Sequence, residues 1–168
     1  MVSSPVPRVR SFGAELVAVH DELRAHLRRL RAAPADPGNR QRDLRAHCAA
    51  FCSALTTHHT SEDARTFPLL ADEVPELRPV IVKLQEDHVL IAGLLEGVRD
   101  LTDRLPAEPG PDEILRFERE LDGLAAIMES HFAFEERRVT AALDQLERGE
   151  HTAVELFGID PGDPHRPL

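Results

Sequence analysis

A chain of 168 residues is long enough for one domain with a substantial core. Its formal net charge of -10, without any Lys/Arg-rich run, argues against nucleic acid as a partner, and no apolar run approaches the length needed to span a bilayer. Seven Phe, no Trp and no Tyr, against a background rich in Ala, Leu, Glu and Arg, favour an all-α fold.

Residues 1–10 carry Pro5 and Pro7 and read as an extended N-terminal segment. Met1 to Arg10 has no apolar signal core, so a cytoplasmic protein is expected. The first helix is predicted over about Ser11 to Ala33, with Ser11 as N-cap and a stripe of Leu16, His20, Leu23, Leu27 and Leu30. Pro34-Ala35-Asp36-Pro37-Gly38 ends it.

The second helix is predicted over about Arg40 to Ala71. Its seam is Leu44, Cys48, Phe51, Leu55, His58 and Glu62, alternating steps of four and three. His59 falls beside that seam and Asp63 points further out; this favours His58 over His59, which remains its rival at three residues from Glu62. Pro68 kinks or ends the regular helix. Cys48 and Cys52, one turn apart, make a poor disulfide because their Cβ vectors run parallel, and they read as buried reduced thiols.

After a short connection at Asp72–Glu76, Pro79 fits the first turn of a third helix. Its stripe is Leu77, Ile81, Leu84, His88, Ile91, Leu95 and Val98, and it ends before Pro106. The fourth helix is predicted from Pro111-Asp112 to Arg148-Gly149, on a stripe of Ile114, Phe117, Leu121, Leu124, Met128, His131 and Glu135. Residues 150–168 form a tail in which Val154, Leu156, Phe157 and Ile159 can dock, while the Pro- and Gly-rich end is expected to fray. The domain, over 11–149, is expected to be an up-down-up-down four-helix bundle.

Each half of this chain offers one lone stripe histidine and then one His-x-x-x-Glu pair: His20 with His58 and Glu62, then His88 with His131 and Glu135. Four imidazoles and two carboxylates on four seams suit two metal ions, each taking about two imidazoles, with the carboxylates bridging. Such mixed ligation fits iron, manganese or zinc and leaves open positions for a small ligand. Without a metal, so many polar groups at core positions would be costly to bury. Glu22, Glu86, Asp87 and Glu136 are near enough to orient the imidazoles. His26, His47, His151 and His165 read as ordinary boundary or tail residues.

The chain resembles the hemerythrin-like, or HHE cation-binding, family. The resemblance lies in His20 within Val19-His20-Asp21-Glu22-Leu23, in His58-x-x-x-Glu62 followed by Phe67-Pro68, in Glu86-Asp87-His88, and in His131-x-x-x-Glu135-Glu136. It covers about residues 12–147 and implies a four-helix bundle around a non-haem di-iron site, two iron ions with a bridging oxygen species. His20, His58, Glu62, His88, His131 and Glu135 would be the ligands. The oxygen-carrying hemerythrins have two histidines four apart on the third helix, where this chain has His88 and Ala92. Their fourth-helix carboxylate is an Asp one residue further along than Glu135.

Two function classes follow. The first is a binder or sensor of O2 or a related diatomic such as NO. The second is a di-iron oxidoreductase acting on oxygen, peroxide or NO with an unidentified electron donor. Iron storage or delivery is a weaker third.

Overall fold

The computed structural model describes residues 10–32, 40–106, 108–147 and 149–160. The segment 1–9, the Pro34–Gly38 stop, Arg148 and the tail end 161–168 lie outside the described residues.

The described chain is all-helical, and four long helices carry most of it. They are α1 (Phe12–Ala32), α2 (Arg40–Ser61), α4 (Arg78–Arg104) and α5 (Pro111–Leu143). A single π turn, Glu62–Thr66, and a short α3 (Phe67–Glu73) follow α2, and α6 (Ala153–Phe157) closes the described chain. Around the core, α1 packs on α2 and α5, and α4 packs on the other sides of α2 and α5. Each long helix therefore has two neighbours, and its apolar stripe faces a shared interior. Leu16, Leu23, Leu55, Leu84, Ile91, Leu121, Leu124 and Met128 are among those buried there.

The helix starts follow local chemistry. Ser11 Oγ accepts the N–H of Ala14 at 3.3 Å, capping α1. Pro79 and Pro111 each lie in the first turn of their helix, where a missing N–H costs nothing. Gly13 is where α1 crosses the end of α5. Its N–H donates to Asp144 Oδ1 at 2.9 Å, and a Cβ there would lie 2.8 Å from the Thr140 carbonyl.

Two boundaries differ from the sequence expectation. The second helix does not run as one α-helix to Ala71. Pro68, in the first turn of α3, cannot donate an N–H and would clash with the carbonyl four residues back, and the ladder widens to a π turn just before it. The last long helix stops at Leu143, about a turn short of Arg148, and its C-cap, Asp144, accepts the Gly13 N–H through its side chain.

The tail turns back onto the bundle. Thr152 and Glu155 form a reciprocal N-cap: Thr152 N–H donates to Glu155 Oε2 at 2.9 Å, and Glu155 N–H to Thr152 Oγ1 at 3.2 Å. Leu156, Phe157 and Ile159 are buried against α1, α2 and the π turn, while Val154 stays half exposed. Gly158, at φ 68°, ends α6 in the left-handed region. A Cβ there would sit 2.5 Å from Ser61 Oγ and 2.8 Å from the Thr57 carbonyl.

Candidate metal centre

His20, His58, Glu62, His88, His131 and Glu135 converge in the interior between the four long helices, each 4 % exposed or less. They form two halves. In the first, His20 Nε2 and His58 Nε2 lie 3.1 Å apart; in the second, the rings of His88 and His131 meet edge to face with centroids 4.9 Å apart. The carboxylates tie the halves together. Glu62 Oε1 is 3.4 Å from His58 Nε2, and its Oε2 is 3.6 Å from His88 Nε2. Glu135 Oε2 is 3.4 Å from His20 Nε2 and 3.5 Å from His131 Nε2. Each carboxylate thus reaches one imidazole from each half.

The outer nitrogens are held from behind. His20 Nδ1 donates to Glu136 Oε1 and His88 Nδ1 to Asp63 Oδ1, both at 2.9 Å. His58 Nδ1 donates to the Phe157 carbonyl of α6 at 3.0 Å. Asp87 Oδ2 stands 3.6 Å from His131 Nδ1 and is itself held by Lys83. A proton on Nδ1 leaves Nε2 as the free lone pair, the form that binds a metal. Of the four orienting residues expected from sequence, Glu136 fills that place, and Asp87 stands beside His131 without bonding it. Glu22 and Glu86 make no such contact among the described bonds; Asp63 and the Phe157 carbonyl serve instead.

His59 departs from the sequence reading. It is buried, at 6 % exposed, and one nitrogen each of His59, His88 and His131 lie within 4.8 Å of one another. Asp63, expected to point outward, meets His88. One physical reason covers both. A helix with two neighbours buries a face wider than one seam. His58 and Glu62 face the centre of the buried side of α2 and the π turn that continues it, whereas His59 and Asp63, also four apart, face α4. A signal existed: His58-His59-x-x-Glu62-Asp63 repeats as His131-Phe132-x-x-Glu135-Glu136. Phe132 stacks on His20 at 3.9 Å and 11°, and His59 stacks on His88 at the same 3.9 Å and 11°. His26 is also more buried than expected, while His47 is exposed.

Burial keeps most of these imidazoles neutral. It lowers His58 to about 3, helped by repulsion from His20, and lowers His131 to about 4. It also lowers His59 well below the ordinary value, with His88 adding repulsion. Burial opposes charge on His20 too, but the nearby Glu135 carboxylate and the bond to Glu136 overcome it and raise its pKa. Burial and the neighbouring Glu135 raise Glu62 well above the carboxylate range. Glu135 is buried as deeply, yet the His20 imidazole 3.4 Å away holds it down at about 2.

The donor set fits a pair of cations. With both Nδ1 atoms donating outward, His20 and His58 point bare lone pairs at each other, which only a proton or a cation between them relieves. Their 3.1 Å spacing matches two adjacent ligands at right angles, about 3.0 Å for metal–nitrogen bonds of about 2.1 Å. Both oxygens of Glu62 and Glu135, His88 Nε2 and both His131 nitrogens are buried without a hydrogen-bond partner. Buried polar atoms are rarely left so; His131 Nδ1 turns toward Asp87, and the others lie among the Nε2 atoms and carboxylates of the two halves. Among the described residues two groups have metal-ligand spacing, His20/His58/Glu62/Glu135 and His59/His88/His131. Cys48 and Cys52 belong to neither; they are buried free thiols 3.8 Å apart.

Comparison with protein-family models matches residues 12–143 to the hemerythrin HHE cation binding domain. No curated protein and no solved structure matches the chain.

Proposed function

The chain belongs to the hemerythrin HHE cation-binding family, and from that premise we propose that it is a non-haem di-iron protein that binds or senses O2 or a related diatomic such as NO. His20 and His58 would hold one iron, His88 and His131 the other, with Glu62 and Glu135 shared between them. The observation that carries this reading is the set of buried, partnerless ligand atoms, arranged as two imidazole pairs joined by two carboxylates. Two ferrous ions there would offer electrons and open positions to a small ligand.

The chain's own residues do the rest. Asp63, Glu136 and the Phe157 carbonyl aim the imidazoles, and Phe132, Phe67 and the surrounding aliphatic side chains keep bulk water out. The supporting frame is the up-down-up-down bundle, for which the mutual packing of the four long helices speaks. No described helix is long and apolar enough to cross a membrane. A cytoplasmic location belongs to this proposal and agrees with two free cysteines.

The test is anaerobic loading with ferrous iron, metal analysis, and mixing with O2 or NO under rapid optical detection. Two irons per chain and a ligand-dependent spectrum that reverses when the gas is removed are expected. Fewer than two irons would refute the site. Irreversible oxidation with sustained consumption of peroxide, O2 or NO would instead establish the oxidoreductase class.

A further inference from the structure

The two halves of the centre repeat one pattern of contacts, and they differ at one ring position. His20 is matched by His88, His58 by His131, Glu136 by Asp63, and Phe132 by His59. An imidazole therefore stands where the other half has a phenyl ring. It is almost fully buried, and its Nε2 has no hydrogen-bond partner. Leaving a buried N–H or lone pair unpaired is costly, and a Phe at this position would avoid that cost. The polar atom thus requires a partner that the protein does not supply.

That partner is not the ion held by His88. A ligating lone pair lies in the plane of its ring, and two stacked, nearly parallel rings have no common point at which one ion could sit. Yet a nitrogen of His59 lies within 4.8 Å of nitrogens of both His88 and His131, beside the place where that ion would be held.

The second half is also the more open one. On the first half, Arg24 clamps Glu136 at 2.9 Å and lies over the Phe132 ring, and α6 covers His58 through its Phe157 carbonyl. On the second half, Ala92 stands four residues after His88, as Arg24 stands four after His20. Asp63 is 39 % exposed, against 23 % for Glu136.

We propose that His59 is a hydrogen-bond donor to a small anionic or dipolar ligand bound on the His88/His131 side of the centre, making that half the ligand-binding half. The proposal rests on the di-iron reading above. Its probe is azide, titrated into the ferric, iron-loaded protein and followed by its charge-transfer band, with iron counted in the same samples. His59→Phe rebuilds the stack seen at Phe132 and removes the donor. It is expected to keep two irons per chain and to bind azide about tenfold more weakly, or worse, as loss of a hydrogen bond to a charged group requires. His59→Gln keeps an N–H and is expected to stay within about threefold of the wild type. Two irons with unchanged azide affinity in His59→Phe, or a tenfold loss in His59→Gln, would overturn the proposal. So would loss of one iron in His59→Phe, which would make the residue a ligand. A wild-type protein that binds no iron sinks the di-iron reading itself, whereas equal azide affinities in iron-loaded proteins sink only this inference.

Discussion

The clearest test of how the centre is held is to replace Glu62 by leucine and compare the protein with and without iron. Glu62 is 0 % exposed, and neither carboxylate oxygen has a hydrogen-bond partner. An unsatisfied buried polar group costs roughly 1–3 kcal/mol, and a leucine of similar size adds apolar burial at the same place. In the presence of a chelator, Glu62→Leu is therefore expected to be more stable than the wild type by about 1–3 kcal/mol. For a chain of this length each kcal/mol raises Tm by roughly 2–4 °C. Iron reverses the order. At a free concentration a hundredfold above Kd, one bound ion adds about 2.7 kcal/mol to the wild type, and the variant loses the carboxylate shared by both ions. Glu135→Leu is the internal contrast. Glu135 lies 3.4 Å from His20 Nε2 and is held ionised by it. Its removal strands a buried imidazole and is expected to destabilise the metal-free protein by roughly 3–5 kcal/mol. Thermal melts with chelator and with ferrous iron read all four quantities. A metal-free Glu62→Leu less stable than the wild type, or one that keeps the full iron-dependent rise in Tm, would refute the reasoning.

Three further outcomes follow from the same geometry. Asp63→Ala and Glu136→Ala free the rings of His88 and His20, and each should weaken iron binding roughly 10–100-fold by competition with a chelator, without changing the helical circular dichroism. Gly158→Ala forces a side chain into the left-handed region and against Ser61 Oγ and the Thr57 carbonyl. It should cost more than about 1 kcal/mol in denaturant melts and weaken iron binding, because α6 carries the carbonyl that orients His58. The metal-free protein should lose stability as pH falls from about 6.5 to 5. The unfolded chain protonates His58, His59 and His131 in that window, while the fold keeps them neutral, His58 to about 3 and His131 to about 4. Glu62, raised well above 4.5, offsets one of these three protons, and His20, raised, opposes them in part because its stabilising effect becomes complete as pH falls below 6.5. Each uncompensated proton gives a slope of about 1.4 kcal/mol per pH unit. Urea midpoints that stay level or rise on acidification would contradict this.

The order of residues alone makes the four long amphipathic helices and the stripe on each legible, because a period of three and four residues leaves only one face that can be buried. It also determined which six polar residues interrupt those stripes, and hence that His20, His58, Glu62, His88, His131 and Glu135 meet. The packing of the helices set what lies one position off the seam. A stripe read from one helix names its central line but not the second neighbour against which its flank is pressed. His59 and Asp63 therefore looked peripheral until α4 was placed beside them. It also decided that α6 folds back to give His58 its hydrogen-bond acceptor, a main-chain carbonyl that no side-chain pattern could announce. Likewise the π turn before Pro68 answers to a proline ring meeting its own preceding turn, and the bond from the Asp144 carboxylate to Gly13 joins the end of α5 to the first turn of α1.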